Sequence, residues 1–85
     1  MISKALPAFW ECFDKLPADI QAVARAKYEL WSQDPFHTSL RFKLMRDDVW
    51  SVRVNKNYRA LGIREKDVIF WFWIGTHREY ERLVK

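Results

Sequence analysis

Apolar positions recur at helical spacing early in the chain and at every second position after residue 39. Leu6, Phe9, Trp10 and Phe13 follow the i, i+3, i+4, i+7 spacing of one helical face. Pro7 suits a first turn, where its missing N–H costs nothing. Leu16-Pro17 ends this helix and starts a second, in which Ile20, Val23, Ala24, Leu30 and Trp31 form an apolar arc up to a stop at Asp34-Pro35. Lys27 sits within that arc and is expected to snorkel at its edge. Two helices joined by so short a link form an antiparallel hairpin.

Beyond it the period is two. Leu40, Phe42 and Leu44 alternate with Arg41 and Lys43; Trp50, Val52 and Val54 alternate with Ser51, Arg53 and Asn55. Arg46-Asp47-Asp48 and Asn55-Lys56-Asn57 supply turns. A third strand runs from Tyr58 to Ile63, and Arg64 to Asp67 turns the chain into a fourth, Val68 to Ile74. That run, VIFWFWI, is apolar throughout and so is expected to be central and buried on both faces. Short turns imply an antiparallel meander. Residues 77–84 read as a short terminal helix. The predicted fold is α+β, one domain over 1–85, with an N-terminal helical hairpin packed on a four-stranded antiparallel sheet and a short C-terminal helix.

Composition sharpens this picture in two ways. The 85 residues include five Trp, six Phe and three Tyr, many for so small a core, so some of these rings are candidates for a binding surface. The net charge of +4 is unevenly placed: residues 41–66 carry eight basic side chains against three acidic, while residues 1–40 carry four against five. An acidic partner, nucleic acid or protein, is implied. The lone Cys12 excludes an intramolecular disulfide and reads as a small core residue. Seven apolar residues are far too few to span a bilayer, and no stretch reads as a signal peptide, so a cytoplasmic protein is expected. No Gly-rich phosphate loop is present. The two histidines, His37 and His77, are forty residues apart, and no cofactor or metal is expected; His37, after Pro35, reads as a turn residue.

If the apolar sides of the first two strands face the hairpin, Arg41, Lys43, Ser51, Arg53 and Asn55 face away. Tryptophan tolerates partial exposure better than aliphatic residues do, which assigns Trp71 and Trp73 to that same open face. Cations beside flat rings suit single-stranded nucleic acid. Equally, lysine and arginine stems cover tryptophans with nothing bound. His77 and Tyr80, three apart on a helix, project from one face at the end of the strongest strand. With an arginine holding a phosphate, they form a candidate metal-free acid–base pair for RNA cleavage. A cap and a packing contact are the plainer alternative.

HTSLRFKLM, WSVRVNKNYRALGI and VIFWFWIGTHREYERL, in this order, resemble the RelE/ParE superfamily of bacterial toxin–antitoxin toxins. The likeness is greatest to chains reading Ser-Leu-x-Phe-Lys, Ser-Val-Arg-x-x-x-x-Tyr-Arg-Ala-Leu and Trp-Ile-Gly-x-His-x-x-Tyr. It covers roughly positions 35–84, and the hairpin agrees with it. The resemblance implies a toxin of a type II system with a cognate antitoxin as partner. RNase members cut mRNA on the ribosome without a metal; members of the ParE branch poison DNA gyrase; a non-toxic interaction domain of the same fold is a third possibility. By this resemblance Arg59, in Asn-Tyr-Arg-Ala, matches the phosphate-holding arginine. His77 and Tyr80 match the acid–base region, and Lys43 and Arg53 match functional positions on the meander. Many relatives begin with a strand before the hairpin; six residues here leave that strand short or absent.

Overall fold

The computed structural model describes residues 1–84. In chain order they form β1 (Ile2–Ala5), α1 (Pro7–Asp14), α2 (Ala18–Gln33), a 3-10 turn (Thr38–Leu40), β2 (Lys43–Arg46), β3 (Val49–Asn55), β4 (Tyr58–Glu65), β5 (Val68–Thr76) and α3 (His77–Val84). Pro7 does open α1, behind an extended Leu6 that provides no side-chain cap. The hairpin is tied across its turn by Gln21, whose side-chain amide donates to the Phe13 carbonyl at 3.0 Å. No helix among the described residues is long and apolar enough to cross a membrane.

The sheet corrects the expectation of four antiparallel strands. It has five, in the order β1-β5-β4-β3-β2, and β1 lies parallel to β5. The added strand is only four residues long, and ISKA carries no alternation that would mark it. It is held from outside its own sequence: the Ile2 N–H donates to the Asp67 carbonyl at 2.8 Å, and Trp71 Nε1 donates to Ser3 Oγ at 3.0 Å. β2 to β5 are the expected antiparallel meander. The strand at the geometric centre is β4, with β5 beside it in the interior. β2 starts later than its alternation indicates. Leu40 closes the 3-10 turn and Phe42 precedes the strand, yet both still point into the core.

That core lies between the hairpin and one face of the sheet. Phe13 and Trp31 come down from the helices onto Val52, Val54, Ala60, Ile69, Trp71 and Ile74, with Leu40 and Phe42 closing one end. Trp31 is 2% exposed and meets Trp71 edge-on at 5.4 Å and Phe42 at 5.8 Å, the T-shaped geometry that ring quadrupoles favour. Trp71 is therefore a core residue, 5% exposed, and does not lie on the open face where the sequence pattern puts it.

A bulge in β5 causes this. Gly62 of β4 pairs with Trp71 and the adjacent Leu61 with Trp73, so Phe72 is an extra residue that reverses the parity of the strand. Ile69 and Trp71 face the hairpin before it; Trp73 faces away, and Ile74 turns back to the core. Gly62 matters here because a Cβ would come within 2.7 Å of Ile69 and 2.9 Å of Trp71.

Candidate functional site

The face turned away from the hairpin is built in two rows across the strands. Lys43, Ser51, Leu61 and Trp73 form one; Arg53, Arg59 and Gly75 form the next. β5 does not stop at Ile74 but continues through Gly75 to Thr76. The missing Cβ of Gly75 leaves room for the Trp73 ring, which a Cβ would meet at 2.5 Å. Trp73 is half-buried on this face as expected, beside Leu61, which is 2% exposed.

The face is also less open than the sequence pattern implies, because α3 lies across it. Tyr80 is 5% exposed. The Arg59 guanidinium carbon sits 4.9 Å from its ring centroid, and its hydroxyl donates to Met45 Sδ at 3.0 Å. Farther along, Arg46 donates to the Leu83 carbonyl at 3.3 Å. Thr76 and Glu79 start the helix as a reciprocal cap. The Glu79 N–H donates to Thr76 Oγ1 at 3.1 Å, while the Thr76 N–H donates back to Glu79 Oε1 at 3.1 Å. The Thr-x-x-Glu spacing in GTHRE is the sequence signal for this cap.

The bond from the Thr76 N–H first, and one from its hydroxyl to Glu79 Oε1 at 2.9 Å second, hold the Glu79 carboxyl below its ordinary value of 4.5. The unfolded chain therefore binds this proton more readily, so the stabilisation is present above pH 4.5 and is lost as the pH falls through the lower folded value. The amide resonances of Thr76 and Glu79 should report this fraying of α3 in acid, and Glu79→Gln should remove the dependence. Thr76→Ala should cost about 1 kcal/mol, the usual effect of losing a cap.

Arg59 is the centre of the site. It is 7% exposed; one terminal nitrogen donates to the fully buried Ser51 Oγ at 3.2 Å, and its Nε has no partner. Burial pushes the Arg59 pKa down, Tyr80 opposes this, and the neighbouring charges of Arg53 and Arg41 lower it further. The guanidinium remains cationic regardless. Among the described residues the ion pairs are Met1 with Asp67 and His77 with Glu81, so none of these arginines meets a carboxylate. Arg41 is exposed and reaches the cluster from a left-handed backbone position, φ 46°, at the end of the 3-10 turn.

His77 opens α3 and stacks on Tyr80, with centroids 5.5 Å apart and planes at 28°. Its Nε2 lies 2.9 Å from Glu81 Oε1, with the imidazole side chain 44% exposed. A carboxylate accepting from Nε2–H leaves Nδ1 with its lone pair free as a base. Glu81 and Met45 are contributors that the sequence pattern does not assign, whereas Ser51 lies on the face where the alternation puts it. Glu81 alone had a visible signal, its i, i+4 spacing from His77. His37 is a turn residue, as expected: its Nδ1 accepts from the Ser39 N–H at 3.2 Å.

The structure thus brings Arg59, Tyr80 and His77 into one contiguous stack, with Arg41, Lys43, Arg53 and Trp73 around it, and leaves Trp71 outside. Residues 18–82, most of the chain, match the family model of the ParE-like toxin domain. No curated protein is similar enough in sequence to serve as a relative. Among solved structures, the YoeB/ParE toxin from Agrobacterium tumefaciens is similar, with a TM-score of 0.68 at 12% identity over 91% of this chain and 99% of that one. A RelB–RelE antitoxin–toxin complex from Methanococcus jannaschii gives 0.69 at 14% identity, over 94% and 96%. The toxin–antitoxin complex RelBE2 from Mycobacterium tuberculosis gives 0.68 at 18% identity, over 89% and 96%. The fold is that of the RelE and YoeB/ParE toxins, and the chain belongs to the ParE-like toxin domain family.

Proposed function

We propose that this chain is the toxin of a type II toxin–antitoxin pair and blocks translation by cutting mRNA on the ribosome. The observation that carries this is Arg59: a buried guanidinium, flanked by Arg41 and Arg53, that no carboxylate neutralises among the described residues. Such a group fits a phosphodiester, whose charge grows in the transition state. His77, oriented by Glu81, takes the proton of a ribose 2′-hydroxyl. The 2′-oxygen attacks the adjacent phosphorus, and the bond to the 5′-oxygen breaks, that oxygen taking up a proton from water. Tyr80 holds Arg59 and His77 in place, and Lys43 and Trp73 support neighbouring nucleotides. An antitoxin masks this cationic face until it is degraded, in keeping with the partnered state of the RelB–RelE neighbour.

A second reading has its own observation. The family model is ParE-like, and the Tyr80 hydroxyl is engaged by Met45, both of which fit a toxin that binds DNA gyrase and cuts nothing. Induced expression separates the readings if mRNA integrity, protein synthesis and DNA supercoiling are followed together. Cleaved transcripts with arrested protein synthesis are expected. Intact transcripts beside altered supercoiling would replace this reading with the gyrase one, and harmless expression would discard both.

A further inference from the structure

On the edge between α2 and the β3–β4 turn lies an open groove of about 650 Å³. Four cations line it, Lys27, Arg41, Arg53 and Lys56, and no carboxylate among the described residues does. Its apolar lining is limited to Val23 and Val54. Arg53 belongs to both places, because it sits opposite Arg59 in the β3–β4 register, and Arg41 lies near enough to disfavour the Arg59 charge. The groove thus adjoins the proposed reaction site.

Its chemistry discriminates between acidic partners. Protein partners are anchored by aromatic or aliphatic side chains seated in desolvated pockets; this groove's own lining offers none, and the apolar pocket that adjoins it through Lys27, Arg53 and Val54 lies between the helices and the sheet. It offers donors. Thr38 contributes a hydroxyl, and Asn55, whose Oδ1 already accepts from the Asn57 N–H at 2.8 Å, is left with its amide hydrogens. A surface of cations and donors without apolar anchors matches a sugar–phosphate backbone.

We infer that this groove is a second phosphate-binding subsite, which holds the single-stranded RNA backbone flanking the phosphate at Arg59. The inference rests on the RNA-cleaving reading, and its test is independent of cleavage. A fluorescent 2′-O-methyl oligoribonucleotide cannot be cut, so its anisotropy across a salt series reports binding alone. For single strands each neutralised phosphate contributes about 0.7 to the slope of log K against log salt. Lys56→Gln should therefore flatten the slope by about 0.7, and Lys27→Gln with Lys56→Gln by about 1.4. Lys56 is exposed on a turn, so its single variant stays interpretable if the half-buried Lys27 disturbs α2. A wild-type protein that binds with these slope changes, yet leaves transcripts intact when its expression is induced, would keep the subsite and discard the nuclease. A slope unmoved by either variant overturns the subsite, as does no oligonucleotide binding by the wild type. So does loss of polyglutamate binding with the RNA slope intact, which would make the groove a protein contact.

Discussion

Arg59→Met should abolish RNA cleavage while leaving the fold about as stable as the unaltered protein. Two opposing groups of effects decide the stability. Methionine forfeits the cation–π contact with Tyr80, about 2 kcal/mol for a desolvated pair. It also leaves the buried Ser51 hydroxyl without its donor, about 1–3 kcal/mol. Against this, an unneutralised buried charge carries a desolvation penalty of several kcal/mol, which the thioether does not. The terms are of similar size, so urea unfolding should place the variant within about 1 kcal/mol of wild type. Activity behaves otherwise. Removing one donor to a developing oxyanion typically costs about 10²–10³-fold, and Arg59 is the most buried cation in the site. A variant that folds normally and cuts nothing would identify Arg59 as a group retained for chemistry. Loss of 3 kcal/mol or more (about that much or above is expected when a buried pair is broken) would show that a counter-charge does stabilise it. Unchanged cleavage would remove Arg59 from the mechanism.

The elements most legible in the sequence were those with long, uniform periodicity. The α1–α2 hairpin and the β2–β5 meander repeat their pattern over enough residues to be read, and the boundaries of α2 and α3 follow from Asp34-Pro35 and from the switch at Thr76-His77. β1 is different in kind. Four residues paired parallel to a strand more than sixty positions away are specified by tertiary contact, with Ser3 under Trp71 as its side-chain tie. The misplacement of Trp71 has a local physical origin. Trp71 and Trp73 share a face only if β5 is regular, and a single extra residue at Phe72 separates them; alternation cannot register a bulge that the partner strand defines. At the site, His77 and Tyr80 were legible as neighbours from their spacing. That one is half-exposed and the other sealed under α3 depends on Met45 and Arg59, which arrive from β2 and β4.

This difference in burial divides two residues that the sequence treats as an acid–base pair. Tyr80→Phe should cleave RNA within a few-fold of wild type, whereas His77→Gln should lose about 10²–10⁴-fold, the range for removing a general acid or base. Tyr80 is 5% exposed, and its hydroxyl donates to a sulfur 3.0 Å away, which engages the proton it would have to give up. Phenylalanine keeps the ring under Arg59 and the stack with His77, and forfeits a weak bond to a thioether and the hydroxyl's support of Arg59. Tyr80→Ala is the wrong experiment, because truncating a buried ring costs about 3–5 kcal/mol and would undock α3 together with His77. His77 lies at the surface, so His77→Gln should fold and bind the uncleavable oligonucleotide with near-normal affinity, confining its defect to the chemical step. Glu81→Gln supplies the intermediate case. It retains an acceptor for Nε2–H but no charge to stabilise the imidazolium, so cleavage should fall by less than in His77→Gln. If Tyr80→Phe is instead as inactive as His77→Gln, the phenol is the acid and α3 must lift to expose it during the reaction. If both cut normally, Arg59 acts on its phosphate with solvent as the only proton carrier.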